Sequence, residues 1–176
     1  MLKTDWNEVV GFHGHQCPGL ATGYRVALIA LREMEQRRAI DEELVAIVEN
    51  DACGVDAIMY MTGCTLGKGN LIYRDYGKQV YTFVCRQNGK AIRIAVKPQR
   101  GSVAEDRQRR IEHILNMPEE EFCTIKEVHI DIPSKARIFN SVICAQCGET
   151  VSEARARIKD GKIVCIPCAG EYTRGW

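Results

Sequence analysis

The sequence predicts an α+β fold: a mixed or antiparallel sheet with packed helices over residues 1 to 140, then a small metal-dependent module over residues 141 to 176. Three observations predict it. A helix-period stretch and a strand-to-helix step occupy the first third, a hairpin with an Asn-Gly turn lies in the middle, and two Cys-x-x-Cys pairs close the tail. With 176 residues, 45% hydrophobic and 27% charged, the chain has material for one core and one appendage, and too much apolar content for disorder.

The elements follow in order. Leu20, Tyr24, Ala27, Leu28, Leu31 and Met34 recur at steps of three and four behind Pro18, which predicts a helix over residues 18 to 37. Its second stripe, Gly19, Gly23, Ala27 and Ala30, is small throughout and predicts close approach of another backbone. Leu44 to Glu49 reads as a buried strand, and Ala52 to Thr62 as the helix after it, capped by Asn50 or Asp51. Tyr81 to Arg86 and Ala91 to Val96 flank Asn88-Gly89, whose residues tolerate the positive φ of a tight hairpin. Ser102 and Glu105 read as a capping box for a helix to Asn116, which Pro118 stops, and Lys126 to Ile132 alternates as a strand.

Net charge is +1, which disfavours nucleic-acid binding through a protein-wide positive field. Residues 86 to 110 hold eight Lys or Arg against two acids, yet Arg107, Arg109 and Arg110 suit the solvated face of an amphipathic helix. The opening MLKTDW lacks a signal-peptide pattern, and the apolar run Val26 to Leu31 is far short of the roughly 18 residues of a membrane span. Cytoplasm is the expected compartment, and nine Cys, an odd number, then argue for metal or thiol chemistry over a disulfide framework.

Cys144-Ala-Gln-Cys147 and Cys165-Ile-Pro-Cys168 are spaced for a four-thiolate zinc site. Four protein ligands leave no open position, so the expected ion is structural. Gly148 relieves the backbone after the first pair, Asp160-Gly161 suits a hairpin between the pairs, and Arg155, Arg157, Lys159 and Lys162 can offset the thiolate charge.

At the other end, His13, His15 and Cys17 alternate in GFHGHQCPG, a glycine-bracketed loop ahead of Pro18. A cysteine at a helix N-cap gains thiolate character from the dipole and free amides, so Cys17 is expected to be an ionised ligand or nucleophile flanked by His15. Cys53 starts the next helix and is its expected sulfur partner; Cys64 lies at the far end of that helix, about 15 Å away at 1.5 Å per residue, and ranks below it. His13, His15, Cys17 and Cys53 are thus candidates for a second transition-metal site in the core. Cys85 and Cys123 read as core residues. Gly63-Cys-Thr-Leu-Gly-Lys-Gly69 departs from a phosphate loop in spacing, in the missing hydroxyl residue and in following a helix, although Lys68 near Cys64 could bind an anion or acidify that thiol.

Two stretches carry resemblances. CAQCGETVSEARARIKDGKIVCIPC resembles the C-terminal zinc finger of the DksA/TraR family, which implies a finger with Cys144, Cys147, Cys165 and Cys168 as ligands and implies nothing about RNA polymerase. HGHQCPGLATGYR, DACGVDAI, TGCTLGKGNL and RDYGKQVYTF, in that order, resemble the FmdE family of formylmethanofuran dehydrogenase proteins over residues 8 to 100 and more weakly to 140. That resemblance implies an α+β core, frequently a homodimer, with His15, Cys17, Asp51, Cys53, Asp56, Cys64 and Lys68 lining a site and His13 in the same motif. The family's name comes from complexes that reduce CO₂ on a molybdenum or tungsten pterin cofactor; no pterin-binding catalytic subunit is visible in these residues. The expected function is therefore a metal-binding accessory or redox-type protein of one-carbon metabolism with a His/Cys core site, for which Cys17, His15, Cys53, Cys64 and Lys68 are the catalytic candidates. The alternative is a non-catalytic module whose finger binds protein or, less readily, nucleic acid.

Overall fold

Residues 6–98 and 106–171 are described in the computed structural model. The chain divides into two units, Met1–Ala136 and Arg137–Trp176, four residues before the expected boundary.

In the first unit, helices α1 (Trp6–His13) and α2 (Pro18–Glu33) precede strand β1 (Leu44–Val48), helix α3 (Gly54–Thr62) and strands β2 (Leu71–Tyr73), β3 (Val80–Cys85) and β4 (Ala91–Val96). Helices α4 (Arg107–Asn116) and α5 (Glu119–Phe122) lead into β5 (Cys123–Glu127). The sheet runs β2-β1-β3-β4-β5, with β1 and β2 parallel and the other neighbours antiparallel. Strand β1 reads LVAIV and all five residues are buried, as a central strand covered on both faces requires. Its Leu44, Ala46 and Val48 join Tyr81, Phe83, Ile92 and Ile94 against the helices, while the alternate residues Val45, Val84 and Ala91 form a smaller cluster with Ile72 and Val128. The hairpin β3–β4 forms as expected, with Gly89 at φ +73° and Asn88 accepting the Lys90 N–H.

Several elements depart from the sequence reading. Helix α2 stops at Glu33, short of residue 37, because Glu35 turns left-handed at φ +52°; Leu28, read as part of the apolar stripe, is exposed. Helix α3 begins at Gly54 with Cys53 as its cap, not Asn50 or Asp51 as expected; Asn50 instead accepts the Ala52 N–H to shape the turn before it. Ser102 and Glu105 lie outside the described residues; α4 starts at Arg107, where the Asp106 carboxylate accepts the Gln108 N–H. The last strand is Cys123–Glu127, not Lys126 to Ile132. Beyond it Val128 donates once more to Ala91, and the chain then leaves the sheet as a strap: Arg86 donates to the carbonyls of Pro133 and Ser134, and Ala136 N–H donates to Glu42. Ile130 and Ile132, whose alternation suggested the strand, are exposed.

The basic stretch is largely engaged within the unit. Arg86 pairs with Glu42 and Arg93 with Glu49, Lys90 and Lys97 donate to the carbonyls of Glu33 and Glu120, and Arg107 and Arg109 point to solvent.

The second unit contains two antiparallel pairs, β6 (Ser141–Ile143) with β7 (Thr150–Ser152) and β8 (Arg157–Lys159) with β9 (Lys162–Val164), then the single turn α6 (Ile166–Ala169). Asp160 and Gly161, at φ +50° and +75°, make the expected hairpin turn.

Candidate metal centres

Two helix N-termini and one helix C-terminus build the core site. The apolar ladder Trp6, Val9 and Val10 makes residues 6–13 a helix; Trp6 meets Tyr24 edge-on at 5.3 Å and Phe12 lies 5.4 Å from Tyr60, so α1 is held against both α2 and α3. His13 is therefore the last residue of a helix, not part of a loop. Gly14, at φ +93°, reverses the chain and lets Cys17 cap α2 ahead of Pro18. The Cys17 Sγ accepts the Leu20 N–H at 3.2 Å and is nearly buried. Helix α3 crosses α2 so closely that a Cβ on Gly23 would lie 2.0 Å from the Gly54 carbonyl oxygen, and a Cβ on Gly19 would lie 3.3 Å from the Cβ of Cys53 and 3.9 Å from Cys17 Sγ. The small-residue stripe of α2 thus seats the start of α3, and Cys53, beside Cys17.

The donor atoms of His13, His15 and Cys17 all lie within 4.8 Å of one another. His13 Nδ1 is 2.7 Å from Asp56 Oδ2, His13 Nε2 is 3.9 Å from Cys17 Sγ, and the two imidazole rings are 4.5 Å apart. Partial burial, then the hydrogen bond and charge of Cys17, push the Cys53 thiol above its usual range, with Asp56 adding to the effect. Two imidazoles and a thiolate suit zinc, copper, iron or nickel. Such an ion, bound at roughly 2.1 to 2.3 Å, would hold its donors about 3.6 Å apart, so the donors would have to close by no more than about 1 Å.

Other candidates are not part of this group. Cys64 is fully buried at the far end of α3, where its thiol donates to the Leu44 carbonyl at 3.3 Å and burial pushes it up to about 11. The Lys68 ammonium pulls that thiol down in part but does not outweigh the burial. It also donates to the carbonyls of Ala39, Ile40 and Asp41 at 3.2 to 3.3 Å, tying the Gly63–Gly69 loop to residues 39–41. Asp51 is exposed. The contact between Asp56 and His13 is not legible in spacing, because its signal is tertiary: α1 must dock on α3 before the two residues meet.

In the second unit, Cys144, Cys147, Cys165 and Cys168 bring their sulfurs within 4.8 Å of one another. Backbone N–H groups, that of Cys147 foremost and that of Cys165 next, bring the Cys144 thiol down to about 6. Gly148, at φ +75°, turns the chain after the first pair, and Lys159 Nζ donates to the Cys168 carbonyl at 2.9 Å. Four convergent sulfurs with a backbone N–H donor fit a tetrahedral Zn²⁺, to which the protein would supply every ligand.

Comparison with known proteins follows the same division. Residues 12–124 match the family described as FmdE, molybdenum formylmethanofuran dehydrogenase operon, and residues 137–174 match the prokaryotic dksA/traR C4-type zinc finger. Over 192 residues the chain is 33% identical to a probable S-adenosyl-L-methionine-binding protein of Archaeoglobus fulgidus, covering 92% of this chain and 51% of the relative. The chain thus spans about half the length of that curated relative. It shares its fold with the crystal structure of a tungsten formylmethanofuran dehydrogenase FmdE-like protein from Syntrophus aciditrophicus, at a TM-score of 0.69 and 20% identity, over 93% of this chain and 89% of that one.

Proposed function

This chain belongs to the FmdE family, and from that premise we propose that it is a metal-binding protein with two kinds of site. The core binds a transition-metal ion through His13, His15 and Cys17, with Cys53 as the adjacent sulfur; the second unit holds structural zinc on Cys144, Cys147, Cys165 and Cys168. One observation carries the reading: two imidazoles and a thiol within 4.8 Å of one another, between the end of α1 and the cap of α2, whose start is locked to α3 by backbone contact. Three protein donors leave room for a further ligand, which suits an accessory or redox role in one-carbon metabolism. We further propose a cytoplasmic homodimer, with the finger as its protein-contact module. Exposed Ile143, Ile158, Ile163 and Ile166 support a protein partner, and the internal engagement of Arg86, Lys90, Arg93 and Lys97 argues against nucleic acid.

Metal analysis of the purified protein tests the core site. Wild-type protein is expected to hold about two ions per chain, and Cys17→Ser about one, since loss of one of three donors empties a site while the closed finger retains its ion. A value near one ion that Cys17→Ser leaves unchanged would overturn the core site. A second reading, S-adenosyl-L-methionine binding, is supported by the Archaeoglobus relative; titration calorimetry with that compound would show no heat of binding if the metal reading alone is right.

A further inference from the structure

We infer that Asp56 is the positioning residue of the core site: by accepting the Nδ1–H of His13 it leaves Nε2 as the lone pair that faces Cys17 and takes the ion. The inference rests on the metal reading above and deepens it. Asp56 is the third residue of α3 and lies outside the donor cluster, yet its Oδ2 is 2.7 Å from His13 Nδ1. A carboxylate only accepts, so at that distance the imidazole proton must sit on Nδ1. The other ring nitrogen is then the free donor, and it faces Cys17 Sγ at 3.9 Å. His13 is nine-tenths buried at its side chain, while Asp56 keeps 39% exposure, so the carboxylate stays partly hydrated as it holds a nearly buried ring. Contacts between α1 and α3, through Phe12 and Tyr60 and through Tyr60 and Glu8, fix the ring's distance but not its tautomer. Asp56 supplies that choice. Carboxylate partners of this kind orient metal-binding histidines and raise their basicity.

The test has one readout that needs no metal and one that does. Two-bond ¹H–¹⁵N correlation spectra of the full-length protein with the core site metal-free, at about pH 8 where an ordinary histidine is neutral, report the tautomer of each of the four His residues, with His13 assigned by His13→Gln. His13 is expected in the Nδ1–H form in wild type and to move toward Nε2–H in Asp56→Ala. Co²⁺ is then titrated into protein already holding one equivalent of Zn²⁺, and its thiolate charge-transfer band is expected to saturate at about 10- to 100-fold higher Co²⁺ in Asp56→Ala. Where Asp56→Ala does not fold, Asp56→Asn keeps an acceptor without the charge: the tautomer is retained and the affinity loss is smaller. An Nε2–H form in wild type, a tautomer indifferent to Asp56→Ala, or equal Co²⁺ affinity in wild type and both variants would each overturn the assignment. Wild-type protein that takes no Co²⁺ while the tautomer still switches would instead overturn the metal reading, leaving Asp56 as the residue that aims His13 at Cys17.

Discussion

Cys64 has no accessible surface, its hydrogen bond runs to a β1 carbonyl, and its thiol is held near 11 against an ordinary 9.0. A raised folded value stabilises the protein below the unfolded value, and that contribution disappears as pH climbs through 11. A rise of that size corresponds to about 3 kcal/mol. Urea unfolding at pH 9 and pH 11 is expected to show wild-type protein losing about 2 kcal/mol more stability than Cys64→Ala, the share of that contribution that falls between the two pH values; equal losses would mean the thiol is not buried as described. Spacing in the sequence can rank Cys53 above Cys64, because a helix fixes the separation of its own ends. It can place Cys17 at a cap, because Pro18 marks the helix start. It cannot show that His13 faces Asp56, since residues 43 apart meet only through packing of α1 on α3. The DACGVDAI resemblance implies Asp56 as a site residue without its partner.

At the level of elements, the α2–α3 crossing sets the site. A methyl on Gly23 would overlap backbone atoms of Gly54, which have no rotamer to yield, so the helices themselves must separate. Gly23→Ala is therefore expected to destabilise at the upper end of the about 1 to 3 kcal/mol typical of overpacking, and to weaken Co²⁺ binding at the core site by moving α3 relative to α2. Gly11→Ala is the control: it lies within α1 with nothing near its missing Cβ, and a gain of about 0.5 to 1 kcal/mol is expected from helix propensity. Chemical denaturation of the two variants checks both signs. The small stripe of α2, the hairpin and the β1-to-α3 step are legible because each is encoded locally. Helix α1 leaves a fainter trace, for it is only eight residues long, with Gly11 inside it and His13 at its end. The last strand ends earlier than its pattern suggests because alternation marks an extended chain whether or not a neighbouring strand is there to pair with it.

At the scale of the whole molecule, the two units draw on different sources of stability. The first buries a continuous core of sheet and helix side chains, whereas the second buries only Cys144, Val164 and Cys165 in its own cluster among the described residues. A structural Zn²⁺ site contributes an apparent ~10 to 16 kcal/mol in isolated fingers, so the ion substitutes for a core the second unit lacks. Chelation is expected to expose the amides of residues 137–171 to hydrogen exchange while β1, β3 and β4 stay protected; protected finger amides after zinc removal would contradict the four-thiolate site. The strap after β5 sets a further condition on separating the units. Arg86 and Glu42, each with about a tenth of its side chain exposed, have the carbonyls of Pro133 and Ser134 and the Ala136 N–H as partners. A core cut back to the end of β5 would strip those three partners from a nearly buried ion pair, so the shortest autonomous core ends at Ala136, and the residues between Glu127 and that point are part of its foundation, not a tether to the finger.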